Sequence, residues 1–276
     1  MTEIELRKSG HEFRLIPLIL IILLLFLRFP FLIAVGFKQI PLPIALSNSI
    51  MLDGTYILTA MLIWYERKEL DRFNITFNTI LIFTVIPLIS LIVNNIITHQ
   101  EMVSQYSFID YSKPILGIIL LIALIISKVP LKKSSIKELF IWLLITIAAS
   151  ILITLLVTGF KIDRRILYTN PFELISLILL QINIAAIPEE PLFRGFIWGY
   201  LTKFKWNIWL IIVFQAMLFM IGHIYYVGPY PIFVFIRTFI GGLIFGLIVW
   251  KSRSIATSMG AHGMVNSLGQ IIERFN

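Results

Sequence analysis

Two adjacent carboxylates and an arginine interrupt an apolar run in the stretch Pro188-Glu189-Glu190-Pro191-Leu192-Phe193-Arg194-Gly195. A charged side chain at the centre of a bilayer costs about 2.5 to 3.5 kcal/mol on insertion scales, so three of them need partners or a wet cavity. Glu190 and Arg194 stand four residues apart on one helix face, where they can form an ion pair. Glu189 points elsewhere, and we interpret it as an unpaired carboxylate that is left to accept a proton.

The composition of the whole chain indicates an integral membrane protein. Of its 276 residues, 58% are hydrophobic and 14% are charged, and the mean hydropathy is +0.92. Soluble domains are less apolar and more highly charged. The net charge of +8 comes from short basic clusters between apolar runs, which is typical of loops that flank membrane helices, so we do not expect nucleic-acid binding. The chain has no cysteine, which excludes thiolate metal ligands and cysteine nucleophiles.

Nine apolar runs are candidate membrane spans, and we predict an all-α, polytopic bundle of eight or nine transmembrane helices. A spanning helix needs about 20 apolar residues, so the fourth run is short. The stretch 171–200 fits either one long helix broken at Pro188 or two separate pieces. The runs cover residues 15–35, 42–64, 76–98, 114–126, 139–157, 171–187, 208–222, 231–250 and 255–272.

Basic residues concentrate in alternate connections between these runs. Because cytoplasmic loops carry an excess of Lys and Arg, we predict that these connections and the N-terminus are cytoplasmic. Lys161, Arg164 and Arg165 lie on the opposite side and depart from the pattern. The basic connections are at 7–14, 67–72, 128–137, 203–205 and 251–253.

The four histidines of the chain fall into two groups. His11 and His99 lie in or beside polar flanks, and we interpret both as solvated loop residues. His223 ends an apolar run and shares a helix face with Phe219, four residues earlier. This histidine is therefore a candidate functional group at membrane depth.

The last run repeats the same spacing with His262 and Asn266, which present two hydrogen-bonding groups to one side of a helix. Counting 1.5 Å per residue from the connection at 203–205 places Glu189 and His223 at comparable depths, which permits a shared pocket. A diacid, two histidines and an asparagine at helical spacings are typical of an acid–base site that adds water across a carbonyl.

Three motifs carry a resemblance to a known family: Glu189-Glu190-x-x-x-Arg194, Phe219-x-x-x-His223 and His262-x-x-x-Asn266. In this order they resemble the motifs of the CPBP (Abi) family of intramembrane proteases, which includes CAAX prenyl endopeptidases and bacterial homologues linked to bacteriocin processing or immunity. The resemblance covers residues 171–272 and implies a protease core at 166–276 behind variable transmembrane helices at 1–165. Pro191 departs from the family pattern, and we expect it to be tolerated in the first turn of a helix.

The resemblance also implies a role for each residue. Glu189 would be the general base and His223 its partner in orienting water, while His262 and Asn266 would stabilise the oxyanion. Supporting roles would fall to the ion pair of the first motif and to the phenylalanine of the second, namely Glu190, Arg194 and Phe219. The substrate would be a peptide or protein at the lipid bilayer, and the protein would lie in a bacterial cell membrane.

The cofactor stays open at this point. The family is described as metalloprotease-like, and zinc bound by Glu189, His223 and His262 is one option. These residues lack the spacing of the familiar zinc proteases, in which two histidines stand four apart on one helix. A metal-free reaction through glutamate-activated water is the other option.

Two other functions use the same charges. A proton-coupled transporter could employ the carboxylates and histidines as a proton path, and Arg237 in a later span would suit it. A non-catalytic bacteriocin-immunity or scaffold protein would tolerate changes at every site residue. The pair His262 and Asn266 favours hydrolysis, because transport does not require oxyanion donors.

Overall fold

A computed structural model describes residues 15–36, 39, 43–97, 112–133, 135–157, 171–224 and 233–275 of the chain. Within these residues the fold is all-α, with nine helices and no strand, as predicted. His11, His99 and the basic residues at 7–14 and 161–165 lie outside the described residues. The helices, numbered in chain order, are α1 (15–36), α2 (Ile44–Tyr65), α3 (Phe77–Ile97), α4 (Ser112–Ile126), α5 (Ile136–Val157), α6 (171–203), α7 (Ile208–Ile221), α8 (Phe233–Ser252) and α9 (Ile255–Phe275).

Four of the helices are long and apolar enough to cross a bilayer, judged over the described residues alone. They lie at Leu15–Val35, Leu46–Tyr65, Pro171–Lys203 and Phe235–Ser252. Helices α4 and α7 and the segment Phe77–Val93 of α3 are apolar but shorter. Large hydrophobic side chains cover the outside of the bundle, for example Ile126 and Trp209, and a lipid environment accounts for such exposure. The fold is that of a polytopic membrane protein.

The stretch for which we considered either one long helix broken at Pro188 or two separate pieces is the continuous helix α6, which contains two π-helical turns. These turns cover Ile182–Ala186 and Pro191–Ile197, on either side of a short α-helical segment, Ile187–Glu190. A proline removes one backbone donor and crowds the preceding turn, and a wider turn accommodates both effects. Pro191 therefore lies inside a helix at the start of a π turn, and the expectation that it belongs to the first turn of a helix was wrong.

The basic connections that can be compared meet at one end of the bundle. Nζ of Lys203, the last residue of α6, lies 3.2 Å from Oε2 of Glu69 in the connection after α2. The backbone N–H of Ile255 donates to the carbonyl of Asn74 at 2.9 Å, which brings the connection between α8 and α9 to the same end. The connections at 67–72, 203–205 and 251–253 thus lie on one side of the bundle, as the alternation of basic connections predicted. The assignment of that side to the cytoplasm stays a prediction.

The main hydrophobic core joins both parts of the chain. It contains Leu24 of α1, Phe83 of α3, Phe193 of α6, Phe219 of α7 and Met259 of α9. Helix α9 packs on α5 and α6, and α2 packs on the segment of α6 that carries the two glutamates. The division of the chain at residues 165 and 166 stays a prediction, and in the described structure the helices on its two sides share one core.

Small residues let α7, α8 and α9 approach the charged segment of α6. A Cβ atom on Gly242 of α8 would lie 3.0 Å from Cα of Ala216 on α7. One on Gly263 of α9 would lie 3.2 Å from the carbonyl oxygen of Ile178 on α6. The glycine next to His262 therefore allows α9 to lie directly against α6, and that contact brings the histidine to the carboxylates.

Candidate active site

The second glutamate and the arginine of α6 form the predicted ion pair at the centre of the bundle. Nη1 of Arg194 lies 3.2 Å from Oε1 of Glu190, and both side chains are fully buried. Nη2 of the arginine also donates to the carbonyl oxygen of Gly242 at 3.3 Å. The guanidinium lies over the ring of Phe219, 4.3 Å from its centroid. Groups from three helices thus contact this cation. Its contact with Glu190 confirms the ion pair that their spacing of four residues predicted.

The first glutamate is paired as well, and the expectation of an unpaired Glu189 was wrong. Its Oε1 atom accepts a hydrogen bond from Nη2 of Arg28, in the π turn Leu27–Phe31 of α1. Both residues are buried. The spacing rules that relate residues on one helix cannot find a partner 161 positions away. The one available signal was an arginine in the middle of the first apolar run, because such a residue must find a partner inside the membrane.

The two histidines converge on the other oxygen of Glu189. Nε2 of His262 lies 3.8 Å from Oε2 of Glu189, and Nε2 of His223 lies 4.0 Å from the same atom. That oxygen is buried and has no hydrogen-bond partner in the described structure. The geometry therefore brings together three of the four residues predicted to be catalytic.

Each histidine ring is held through its Nδ1 atom. Nδ1 of His262 lies 2.9 Å from Oε1 of Glu190, and Nδ1 of His223 lies 2.7 Å from the backbone oxygen of Phe219. Both partners are acceptors, so the hydrogen is assigned to Nδ1 in each ring. Nε2 of a neutral ring then accepts a hydrogen bond, and it donates one only when the ring is protonated.

Asn266 lies one helical turn beyond His262 on α9 and has a different partner. Its side-chain amide donates to Oε1 of Gln181 on α6 at 3.2 Å. An Asn amide carries two hydrogens, so this bond leaves one of them for another acceptor. The structure therefore does not join Asn266 directly to the carboxylates, and its predicted role at an oxyanion stays a prediction.

The three residues named as possible zinc ligands, Glu189, His223 and His262, are not arranged around a metal ion. Within the described residues, no group of three or more His, Asp or Glu side chains is arranged to hold one. Glu189 gives one oxygen to Arg28, and the other lies 3.8 and 4.0 Å from the histidine nitrogens. The guanidinium groups of Arg28 and Arg194 already balance the two carboxylates of α6, and their positive charge would repel a dication.

A comparison with protein families matches part of the chain. Residues 171–268 match the family described as "Rce1-like: Type II CAAX prenyl endopeptidase Rce1-like". Searches of the curated proteins and of the solved structures gave no significant match. The matched segment contains both glutamates, Arg194, His223, His262 and Asn266, and it ends before the last turn of α9. Residues 171–268 are thus similar to an Rce1-like type II CAAX prenyl endopeptidase domain, and this similarity is consistent with a CPBP-family intramembrane protease.

Proposed function

We propose that the chain is an intramembrane endopeptidase that hydrolyses a peptide bond with water activated by Glu189 and His223, without a metal ion. One observation carries the proposal: Oε2 of Glu189, a buried oxygen without a hydrogen-bond partner among the described residues, faces two imidazole nitrogens at 3.8 and 4.0 Å. Separations of this size are too long for direct hydrogen bonds and suit a bridging water.

In the first step, Oε2 of Glu189 removes a proton from this water while Nε2 of His223 accepts its other hydrogen as a hydrogen bond. The water oxygen bonds to the carbonyl carbon, and the π electrons of the C=O bond move to the carbonyl oxygen. In the second step, the C–N bond breaks and protonated Glu189 returns its proton to the departing nitrogen. The glutamate is regenerated, and the products are a carboxylic acid and an amine, which then exchange a proton to give a carboxylate and an ammonium.

His262 is the candidate donor to the oxyanion. Because its Nδ1 atom faces Glu190, its Nε2 atom can donate to the oxyanion only as an imidazolium, which would keep a charge-assisted hydrogen bond from Nδ1 to the carboxylate of Glu190. The free amide hydrogen of Asn266 is the candidate second donor. Preorganised donors of this kind commonly contribute about 100- to 1000-fold each to the rate.

The substrate is a peptide segment presented from the bilayer. The matched family indicates a C-terminal CAAX peptide with a prenylated cysteine as the probe to use first. We propose this class as the substrate on that ground alone.

The test is peptide hydrolysis by the purified full-length protein in proteoliposomes. The probe is a quenched fluorescent peptide that ends in a farnesylated CAAX sequence, and H₂¹⁸O supplies the label. We expect the wild-type protein to release the tripeptide and to place ¹⁸O in the new carboxylate. Glu189→Gln should lower kcat by at least about 100-fold, because it removes the base and keeps the volume.

Glu173→Gln is the matched control, since it makes the same change in the first turn of the same helix. It should keep the wild-type rate. Wild-type turnover by Glu189→Gln would contradict the proposed role of Glu189. A loss of kcat in Glu173→Gln as large as that in Glu189→Gln would contradict it as well.

A further inference from the structure

Arg28 occupies a site built for it where α1, α2 and α6 meet. It lies in the π turn Leu27–Phe31, which also contains Pro30, and it is buried. Its Nη1 atom lies 3.9 Å from Sδ of Met51 on α2, and its Nη2 atom binds Glu189 on α6. A Cβ atom on Gly54 of α2 would lie 3.1 Å from Cδ1 of Leu27, so the glycine makes room for this turn.

The contact with Arg28 gives the two oxygens of Glu189 different surroundings. Oε1 is bound by the guanidinium, whereas Oε2 faces Nε2 of His223 and Nε2 of His262. The terminal torsion of a glutamate is broad, so a carboxylate without such a contact samples many orientations. A planar guanidinium limits that freedom more strongly than a point charge does.

We infer that Arg28 is a positioning residue for Glu189: it fixes the carboxylate so that Oε2 faces the two histidines and the water between them. This inference rests on the proposed function. It extends the site to a helix outside residues 171–268, because a residue of α1 would then affect kcat through the position of Glu189.

A purely structural bridge is a weaker account of Arg28. The charged segment of α6 is already held by Arg194, which pairs with Glu190 and binds the carbonyl oxygen of Gly242. Arg28 comes from another helix and binds the one carboxylate that the proposed reaction uses. Proton transfer to Glu189 moves negative charge to the carbonyl oxygen, and a fixed cation beside the carboxylate keeps the cluster balanced before and after that step.

The experiment compares kcat and KM of Arg28→Met and Arg28→Lys in the full-length protein, with the farnesylated CAAX peptide as probe. Arg28→Met keeps an extended apolar side chain and removes the charge, and it should lower kcat about 30- to 100-fold with KM within about twofold. Arg28→Lys restores the charge without the planar fork, and it should lower kcat by about three- to tenfold. Arg237→Met removes an arginine from α8 that makes no ion pair in the described structure, and it should keep the wild-type kcat.

Several results would overturn the inference. Wild-type or higher kcat in folded Arg28→Met does so, and so does a rise in KM at unchanged kcat, which indicates substrate binding instead. If Arg28→Met does not fold, as judged by its thermal midpoint in detergent, folded Arg28→Lys decides: wild-type kcat in that variant removes the positioning role. Retention of activity in Glu189→Gln is a separate result, because it contradicts the proposed function whatever Arg28 does.

Discussion

Nδ1 of His262 lies 2.9 Å from Oε1 of Glu190, so the second carboxylate of the diacid holds the histidine of the last helix. The same oxygen accepts a hydrogen bond from Arg194 at 3.2 Å. Glu190 thereby links α6 to α9 and directs Nε2 of His262 towards Glu189. The adjacent glutamates therefore have different surroundings. Glu189 faces the Nε2 atoms of both histidines, whereas Glu190 holds the ring of His262.

Removal of Arg194 should destabilise the fold more than removal of Glu190. Arg194→Ala leaves the fully buried carboxylate of Glu190 without its cation. It also removes the hydrogen bond from Nη2 of Arg194 to the carbonyl oxygen of Gly242. An uncompensated buried charge costs about 3 to 5 kcal/mol. We expect a lower yield and a lower thermal midpoint in detergent for Arg194→Ala, with a smaller effect for Glu190→Gln. The double variant Arg194→Met/Glu190→Gln should recover part of the loss, and two single variants with wild-type midpoints would argue against this ion pair as a scaffold.

Adjacent glycines of α8 offer a matched test of helix packing. A Cβ atom at Gly242 would lie 3.0 Å from Cα of Ala216 and 3.4 Å from Nη2 of Arg194, whereas one at Gly241 meets nothing within 4 Å. Alanine favours a helix by about 0.8 to 1.0 kcal/mol over glycine, and overpacking costs about 1 to 3 kcal/mol. Gly241→Ala should therefore keep or raise the thermal midpoint, and Gly242→Ala should lower it. Equal midpoints in the two variants would contradict the close approach of α7 and α8.

Local spacing predicted those parts of the site that one helix determines by itself. The ion pair of Glu190 and Arg194 follows from their separation of four residues, and the pattern of apolar runs predicted the helices that the structure describes. Counting residues from the connection at 203–205 also placed Glu189 and His223 at comparable depths, and the structure brings their side chains to 4.0 Å.

Contacts between distant helices could not be predicted in this way. Nothing in the apolar run 15–35 specifies that Arg28 lies beside Glu189, because that contact depends on how α1 packs on α2 and α6. The bond between Asn266 and Gln181 depends on the packing of α9 on α6. The π turns at 182–186 and 191–197 were not predicted either. A proline indicates that a helix is disturbed, but it does not specify whether the disturbance is a kink, a break or a π turn.

Removal of metal should leave the activity unchanged. The donors Glu189, His223 and His262 are not arranged to hold an ion, and the proposed reaction uses a carboxylate as base. Dialysis against a chelator should therefore keep kcat and the thermal midpoint, and metal analysis should find no stoichiometric zinc. Loss of activity with the chelator, restored by zinc, would replace the glutamate mechanism with a metal-dependent one. His262→Ala would then be expected to release the metal.

His223 should affect turnover more than stability. Its Nδ1 atom bonds to the backbone oxygen of Phe219 in the helix α7 that it directly follows, so replacement of the ring breaks no bond between helices through that atom. If Nε2 orients the attacking water, His223→Ala should lower kcat by about 100-fold or more and leave KM nearly unchanged. The thermal midpoint should stay within a few degrees of the wild type. A large fall in the midpoint with normal kcat in the folded fraction would identify the ring as a structural element.

The amide of Asn266 either stabilises the oxyanion or only holds α9 against α6, and its partner Gln181 separates these roles. If the remaining amide hydrogen donates to the oxyanion, its benefit exists only when the carbonyl carbon is tetrahedral. Asn266→Ala should then lower kcat by about 100- to 1000-fold with little change in KM. Gln181→Leu removes the bond to Gln181 and keeps the amide, so it should lower kcat far less.

Inhibitor binding gives a second measure of whether Asn266 and His262 stabilise the transition state more than the bound substrate. A transition-state mimic should lose much more affinity for Asn266→Ala than a substrate-like peptide does, because differential binding is the source of the rate. The same comparison for His262→Ala tests the other candidate donor. Equal losses of kcat in Asn266→Ala and Gln181→Leu would instead assign Asn266 to packing, and unchanged kcat in both Asn266→Ala and His262→Ala would remove the pair from the mechanism.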